Sequence, residues 1–310
     1  MLDQSSIYSY PLEELVRTVV KKYSHQDYIS WYIEARHIKR AELLMIQQYI
    51  RPGCRIIDIG CGPANITRFL VNHGYDVVGV DIASAMVIAA NERARREKIK
   101  LKLACGDARH LPIKQSCFDA AIMLIGVIQH IPGHLMRVAA IEEVRRVLKP
   151  DGVLLLSIHN LVPSIWVLLM TMLLFGHKFS HGISDNKQNC TLTKFVRTIL
   201  TPRHLWNAIK IRGIIPQDFR INKFFQRFSK FPDSPGRRGD TTMEEQRGGV
   251  VNTPCYYHLY EHNELLDDTK SAGFTFIKAI SRRELDCGIE LPDVIRRYDD
   301  EIIYVFKTTG

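Results

Sequence analysis

Residues 55–74 read RIIDIGCGPANITRFLVNHG. An apolar run, RIIDI, leads into a glycine-rich turn, and a helix-like segment follows that ends at Gly74. A continuous apolar run is typical of a strand buried on both faces of a parallel sheet. Glycines allow a tight turn and let a ligand approach the backbone closely. The stretch therefore predicts a strand, a ligand-binding turn and a helix, in that order.

The same alternation of apolar runs and helix-like segments continues along the chain. Further strands are predicted in YDVVGVD, KLKLACGD, CFDAAIMLIGVIQHI and VLLLSIHN, with helices SAMVIAANERARREK and HLMRVAAIEEVRRVLKPDG between them. Near the C-terminus, EHNELLDDTKSAGF predicts a helix, and FTFIKAI and EIIYVFK predict two strands. Strands and helices that alternate at this spacing indicate an α/β fold with a doubly wound, mostly parallel sheet.

Four regions are expected along the chain. Residues 1–50 are N-terminal helices, with apolar residues spaced three and four apart in PLEELVRTVVKKY and IEARHIKRAELLMIQQYI. Residues 51–160 form the nucleotide-binding core. Residues 161–250 break the alternation and are predicted to be a helical insertion or cap that binds the second substrate. Residues 251–310 complete the sheet.

The composition is that of an ordinary globular protein. Hydrophobic residues are 46% and charged residues 24% of the 310. The seven cysteines are scattered, with no CxxC pair, which argues against a disulfide framework and against a zinc site. The N-terminal residues lack the basic and apolar regions of a signal peptide. A reducing, cytoplasmic setting is the expectation.

The predicted cap has two unusual stretches. LVPSIWVLLMTMLLF, at residues 161–175, is shorter than the ~20 apolar residues that a membrane span needs. It is interpreted as a buried helix, or as a helix that touches a membrane surface or holds an apolar substrate. Residues 187–249 carry thirteen basic and five acidic side chains, so most of the net charge of +9 lies there. This is either a solvated basic face or a surface for phosphates of RNA or lipid.

Five features of the core together point to one family. The turn reads D-x-G-x-G at Asp58, Gly60 and Gly62. Asp81 ends the second strand and Asp107 follows the third. Phe118-Asp119 opens the fourth strand, and LKPDG at residues 148–152 precedes the fifth. In this order and spacing they resemble class I S-adenosylmethionine (SAM)-dependent methyltransferases, including the methyltransferase type 11 domain. The resemblance implies a Rossmann-like, seven-stranded sheet and SAM as the cofactor.

The resemblance also implies where the cofactor lies. In an open parallel sheet, ligands bind at the carboxyl ends of the strands. The methionine part is expected over the glycine turn, the ribose at the end of the second strand, the adenine after the third, and the sulfonium after the fourth. The cofactor-binding residues expected on this basis are Asp58, Gly60, Cys61, Gly62, Asp81, Ile82, Met86, Asp107, Ala108, Ile125 and Gln129.

Catalytic residues are less clearly marked. SAM brings the reactive methyl group, and a general base is needed only if the acceptor carries a proton. His130, after the fourth strand, and His159, at the end of the fifth, are the candidates for that base. The alternative interpretation, a packed and hydrogen-bonded histidine, is the favoured one for both. No metal is expected.

A second, weaker resemblance lies near the C-terminus. The segment YYHLY, at residues 256–260, precedes a helix and an Ala-Gly-Phe turn. It is similar to a segment of methyltransferases that esterify a carboxymethyl group on the tRNA wobble uridine, and also to one in many small-molecule methyltransferases. Tyr257 and His258 are candidates for the acceptor pocket. The alternative interpretation is a strand with half-buried aromatic residues.

Three functions are consistent with these features. The leading one is a SAM-dependent methyltransferase with a small-molecule acceptor, and the apolar stretch at 161–175 favours an apolar one. The second is a tRNA methyltransferase that uses the basic segment, although no recognised RNA-binding module is present. The third is a non-catalytic SAM-fold binding protein. Peripheral membrane contact through residues 161–175 is an additional expectation. These features identify neither the methyl acceptor nor the oligomeric state.

Overall fold

The structure is a computed structural model, and it describes residues 10–34, 38–159, 240–243, 255–288, 290–291, 293–296 and 301–309. The apolar stretch at 161–175 lies outside the described residues. The basic segment 187–249 does too, except for one short strand at 240–243. Within the described residues, no helix combines the length and the apolar character that a membrane crossing requires.

The described residues form a seven-stranded sheet. Its strands are β1 (Arg55–Ile59), β2 (Asp76–Asp81), β3 (Lys102–Cys105), β4 (Phe118–Met123), β5 (Leu148–His159), β8 (Phe274–Ser281) and β9 (Glu301–Thr308). The order across the sheet is β3-β2-β1-β4-β5-β9-β8. The pairs from β3 to β5 are parallel, whereas β9 runs antiparallel to both of its neighbours. The predicted doubly wound, mostly parallel sheet is confirmed.

A separate two-stranded ribbon pairs β6 (Asp240–Met243) with β7 (Cys255–His258) in antiparallel fashion. The YYH part of the YYHLY segment therefore belongs to β7 and not to the main sheet. Of the two interpretations of this segment, the structure shows a strand at Cys255–His258.

Nine α-helices are described. They are α1 (Tyr10–Tyr23), α2 (Gln26–Glu34), α3 (Arg40–Tyr49), α4 (Asn65–Asn72), α5 (Ser84–Glu97), α6 (His134–Val147), α7 (His262–Ser271), α8 (Arg282–Cys287) and α9 (Asp293–Arg296), and a 3₁₀ turn spans Val127–His130. The continuous helix expected over residues 33–50 is instead two helices, α2 and α3. The backbone N–H of Lys39 donates to the Glu42 carboxylate at 3.0 Å, which caps the start of α3.

The sheet is buried on both faces. In β1, Ile57 and Ile59 pack with α6 residues such as Ile141, while Ile56 packs on the other face with Met45 of α3. Burial on both sides explains why the strands read as continuous apolar runs and not as alternating ones. Residues at the carboxyl ends of β1 to β4 line a cleft.

The N-terminal helix borders the same cleft, because Val16, Val19 and Tyr23 of α1 are among its lining residues. Val19 of α1 packs against Cys255 and Tyr256 of β7. The ribbon thus supports α1 over the carboxyl ends of the parallel strands and encloses a cleft there.

Candidate active site

The cleft lies at the carboxyl ends of β1 to β4 and is closed on one side by α1 and α2. Its lining residues are Val16, Val19, Tyr23, Tyr32, Ile59, Gly60, Gly62, Val80, Asp81, Ile82, Met86, Gly106, Asp107, Ala108, Arg109, Leu124, Ile125, Val127, His130, Ile131 and Pro132. Eight of the eleven residues expected at the cofactor lie among them. The edge of the sheet is where an open parallel sheet binds ligands.

The glycine turn is shaped by backbone contacts. The N–H groups of Gly60 and Cys61 donate to the Val80 carbonyl at 2.8 and 3.1 Å, which ties β1 to β2 at the turn. Gly60 has φ of +71°, and a Cβ there would stand 2.4 Å from a Val127 methyl carbon. Gly62 has φ of +54°, and a Cβ there would meet no described atom within 4 Å. Gly62 therefore leaves open space above the turn for a ligand. The Cys61 side chain is buried.

Asp81 joins the turn to the second strand. Its carboxylate accepts the Gly62 N–H and the Ala83 N–H, each at 2.8 Å. Burial raises the pKa of this carboxyl, and the bonds from Ala83 and Gly62 oppose the rise. A carboxylate oxygen can accept more than one hydrogen bond. The group can therefore hold the turn and still accept from ribose hydroxyls in the cleft.

Asp58 lies deeper, behind the turn. It is 4% exposed and accepts a hydrogen bond of 2.6 Å from the Thr67 hydroxyl. Burial raises the pKa of Asp58 to about 7, with Thr67 opposing the rise and the neighbouring Asp81 adding to it. Asp58 is absent from the cleft lining. It acts on the turn through Thr67 at the start of α4.

Asp107 is held by a residue that the sequence did not single out. The Arg109 Nε donates to both Asp107 oxygens, at 3.0 and 2.9 Å, and its Nη1 donates to Glu13 of α1 at 2.7 Å. Arg109 is 6% exposed. Burial lowers its pKa, but the bonds to Asp107 and Glu13 outweigh that effect and the pKa is raised overall. Arg109 thus stays charged and clamps α1 to the expected adenine end of the cleft.

The end of β4 carries the wall nearest the expected sulfonium. Ile125 has φ of +67°, and its N–H donates to the Ser157 hydroxyl at 2.6 Å. Ile125 and Val127 both face the cleft. A β-branched residue rarely adopts a positive φ. The bond to Ser157 offsets part of the cost of holding Ile125 in this conformation.

Gln129 has a different place from the one expected. It is fully buried and does not line the cleft. Its amide nitrogen donates to the His159 and His258 carbonyls at 2.7 and 2.6 Å. Its amide oxygen accepts from the His159 N–H at 2.6 Å and the Tyr257 hydroxyl at 2.8 Å. Among the described residues, these four bonds use both donors and both acceptor sites of the amide. Gln129 therefore joins the 3₁₀ turn to β5 and β7 and has no group left for a ligand.

Of the two candidate bases, one lines the cleft and the other does not. His130 lines the cleft, and its Nε2 lies 2.8 Å from the Tyr23 hydroxyl of α1. Its Nδ1 lies 3.2 Å from the Tyr256 carbonyl oxygen. Burial lowers the pKa of His130 to about 3, so the ring is neutral over the physiological range. His159 is absent from the cleft lining, and it pairs with Glu301 of the neighbouring strand β9.

The two acceptor-pocket candidates do not face the cleft either. Tyr257 is 4% exposed and is held by Gln129, with its ring edge against His130 at a centroid distance of 4.8 Å. His258 is fully buried, and its Nε2 lies 3.0 Å from a Glu264 oxygen. This corrects the expectation for His258. Successive residues of a strand point to opposite sides, so Tyr257 and His258 cannot share one pocket.

Glu264 belongs to a buried ionic cluster behind the site. Ligand atoms of His134, Glu264 and Asp268 lie within 4.8 Å of one another, as metal ligands would. Arg137 is fully buried in the same cluster, and its Nη2 lies 3.3 Å from a Glu264 oxygen. Arg137 pairs with Glu264, and His134 Nδ1 lies 3.3 Å from an Asp268 oxygen, so the cluster fits a set of ion pairs that joins α6 to α7.

Comparison with known proteins agrees with this geometry. A family model described as a methyltransferase domain matches residues 56–152, from β1 into β5. An uncharacterised protein of Methanocaldococcus jannaschii is 30% identical over 194 residues, which are 62% of this chain and 71% of that protein. A demethylmenaquinone methyltransferase of Lactiplantibacillus plantarum is 24% identical over 235 residues, which cover 72% of this chain and 92% of the relative.

Other relatives match over shorter lengths. The chain is 31% identical to a demethylmenaquinone methyltransferase of Staphylococcus saprophyticus over 36% of this chain and 47% of that one. A sterol 24-C-methyltransferase of Gibberella zeae is 34% identical over 34% of this chain and 27% of that one. The chain thus spans about half or less of the length of these two relatives.

Solved structures share the fold. A SAM-dependent methyltransferase of Methanosarcina mazei superposes with a TM-score of 0.54 at 21% identity, covering 86% of this chain and 97% of that one. A Burkholderia thailandensis 1,6-didemethyltoxoflavin-N1-methyltransferase, solved with S-adenosylhomocysteine, gives a TM-score of 0.52 at 13% identity over 98% and 92%.

Proposed function

We propose that this chain, which belongs to the class I SAM-dependent methyltransferases, transfers the methyl group of SAM to an apolar small molecule. The chain is an enzyme, and SAM is its cofactor. The non-catalytic alternative is therefore set aside. The nature of the acceptor is the proposal, and the wall of the cleft beside α1 carries it.

The cofactor half of the cleft suits SAM in its chemistry. Asp81 offers carboxylate oxygens to ribose hydroxyls, and the open space at Gly62 accommodates the methionine part over the turn. Ile82, Met86 and Ala108 supply apolar surface for the adenine ring. When bound, SAM supplies a methyl group on a positively charged sulfur, and the protein's task is to align the acceptor with it.

The acceptor half is apolar and aromatic. Val16, Val19 and Tyr23 of α1 face the cleft, and Ile131 and Pro132 line it after the 3₁₀ turn. In these five residues the Tyr23 hydroxyl is the one polar side-chain group, and it is bonded to His130. An apolar pocket with few polar groups favours ligands of matching character. This wall is the observation on which the proposal rests.

The names of two kinds of relative also favour an apolar acceptor. Demethylmenaquinone and sterols are apolar acceptors, and relatives that match residues of this chain are named for methylating them. The identities are low, so the names support a class of acceptor and not a compound.

A tRNA acceptor receives less support from the described residues. Stacking on RNA bases requires accessible aromatic faces. Tyr256 and Tyr257 in β7 are 5% and 4% exposed. Since the basic segment lies outside the described residues, this alternative is kept as an outcome of the test.

The test is transfer of tritiated methyl from SAM to three probes under identical conditions. The probes are a reduced short-chain demethylmenaquinone analogue, a sterol and bulk tRNA, with products separated by solvent extraction and acid precipitation. The proposal predicts label in the extract of at least one apolar probe. Label in the tRNA precipitate alone, falling as salt rises, would replace it with the RNA function. The Asp81→Ala variant serves as the cofactor-site control.

A further inference from the structure

We propose that Tyr23 and His130 form a proton relay that removes the hydroxyl proton of an aromatic alcohol as that oxygen is methylated. The inference rests on the proposed function and narrows it to one class of apolar acceptor. It assigns a catalytic part to Tyr23, which the sequence did not mark, and gives His130 a defined partner.

The direction of the hydrogen bonds follows from their geometry. A carbonyl oxygen only accepts, so the contact of 3.2 Å to Tyr256 requires a proton on His130 Nδ1. In a neutral imidazole, Nε2 is then the acceptor. The Tyr23 hydroxyl must therefore donate to Nε2 across 2.8 Å. The Tyr23 oxygen keeps acceptor capacity, because its one described hydrogen bond spends its proton.

Both members of the pair are placed at the expected reaction centre. His130 ends the 3₁₀ turn that follows β4, and Tyr23 ends α1. Both side chains line the cleft together with Ile125. The two rings meet edge to face at a centroid distance of 5.2 Å, and the Tyr257 ring also packs against His130, at 4.8 Å. These ring contacts and the contact to the Tyr256 carbonyl hold His130 in place, as a proton-transfer group requires.

The charges around the pair keep it neutral at rest. His130 is faced by Lys22 of α1 and His159 of β5, which both act with burial to hold its pKa low. Cys255 of β7 lies 3.9 Å from His130 Nδ1. Burial, followed by Tyr32, Cys255, Tyr28 and Tyr257, raises the pKa of Tyr23 well above its ordinary value. Near neutral pH, neither group holds a charge before the reaction.

The proposed transfer conserves atoms, electrons and charge. The acceptor oxygen forms a bond to the methyl carbon while the carbon–sulfur bond breaks, and that electron pair stays on sulfur. The acceptor proton passes to the Tyr23 oxygen, and the Tyr23 proton passes to His130 Nε2. One positive charge moves from sulfur to the imidazole, so the cleft gains no net charge. The proton leaves to solvent when the products depart.

The low basicity of His130 selects the kind of acceptor. A methylated alcohol that still carries its proton is far more acidic than any imidazolium, so its proton moves to His130 even when the pKa of the ring is about 3. A methylated amine is a weaker acid than this imidazolium and would keep its proton. The relay therefore serves an oxygen acceptor, and the aromatic wall of the cleft favours a planar ring next to that oxygen.

The experiment compares 1-naphthol, which is protonated near neutral pH, with 2,4-dinitro-1-naphthol, which is already ionised. In Tyr23→Phe, kcat with 1-naphthol should fall about 100-fold, as expected for losing general-base catalysis. With the ionised naphthol, kcat should stay within about threefold of wild type, because no proton remains to be removed. The Kd for SAM should not change. Tyr28→Phe, which removes one hydroxyl from a ring packed against Tyr23, is the matched control.

The pH profile gives a second readout. Wild-type kcat with 1-naphthol should be flat between about pH 6 and pH 9, whereas the Tyr23→Phe rate should rise with pH as the acceptor ionises. Equal losses with both naphthols would show that Tyr23 only positions the acceptor and would overturn the relay. Transfer by wild type to other apolar probes but to neither naphthol would also overturn it while leaving the proposed function standing. Failure with every apolar probe would refute the proposed function itself.

Discussion

Replacing Gln129 with methionine separates a cofactor-contacting role from a structural one. The two side chains have similar length, but methionine offers no N–H donor and only a weak acceptor. The substitution removes the Gln129 partner of three backbone groups: the buried His258 carbonyl, and the partly buried N–H and carbonyl of His159. The Tyr257 hydroxyl also loses its acceptor but can rotate.

The magnitude follows from these three groups. The buried His258 carbonyl costs roughly 1–3 kcal/mol when left unsatisfied, and the two partly buried groups of His159 add less each, so the free energy of unfolding should fall by about 2 kcal/mol or more. This is a substantial part of the ~5–15 kcal/mol that stabilises a typical domain. At roughly 2–4 °C per kcal/mol, the melting temperature should drop by about 4 °C or more.

The assay is thermal unfolding together with calorimetric titration of SAM below the transition. The variant should melt earlier, while the fraction that remains folded should bind SAM within about threefold of wild type, since Gln129 is absent from the cleft lining. Gln48→Met, on the exposed face of α3, is the matched control and should melt as wild type does. An unchanged melting temperature with a lost SAM response would refute the structural assignment and return Gln129 to the sulfonium site.

Three further predictions concern the glycine turn. Asp81→Ala should weaken SAM binding by about 1–3 kcal/mol, or roughly 5- to 150-fold in Kd by calorimetry, because it removes charge-assisted bonds to the ribose and to the turn. Gly60→Ala should also weaken SAM binding, measured in the same way, because the new Cβ meets Val127 and φ is positive. A wild-type Kd in either variant would contradict these assignments. Asp58→Asn should change how the free energy of unfolding, measured without SAM, depends on pH. The pKa of Asp58 is about 7 in the folded protein and 3.8 as its ordinary value. Between these two pH values the folded protein therefore binds a proton on Asp58 that the unfolded chain has lost. Wild-type stability should therefore fall as pH rises through that window, by about 1.4 kcal/mol per unit at most, and level off above it. The variant should lack this fall in urea unfolding measured at several pH values, and parallel curves for the two proteins would refute the buried-carboxyl account.

The sheet and the glycine turn were predictable because their signals are local. The run RIIDIG and the regular spacing of strands and helices report burial on both faces of each strand. The φ values of Gly60 and Gly62 are a property of the turn itself. A prediction that depends on neighbours along the chain needs no knowledge of the tertiary contacts.

The contacts that organise the cleft were not predictable because they join distant segments. Tyr23 meets His130 across 107 positions, and Arg109 meets Glu13 across 96. Gln129 was assigned to the cofactor from its place after the fourth strand. Two of its four hydrogen bonds are to β7, a strand outside the main sheet, and two are to His159 of β5. Together they hold its side chain in the interior. The sequence order predicts where the backbone of a residue lies in the fold. The direction of its side chain depends on tertiary packing.

The most direct test of the account is calorimetric titration of wild type and Asp81→Ala with SAM and with S-adenosylhomocysteine. The account predicts that both nucleosides bind wild type at micromolar to sub-millimolar Kd and that Asp81→Ala weakens both. If a folded wild-type sample bound neither nucleoside, that result would contradict a SAM site at the carboxyl ends of β1 to β4.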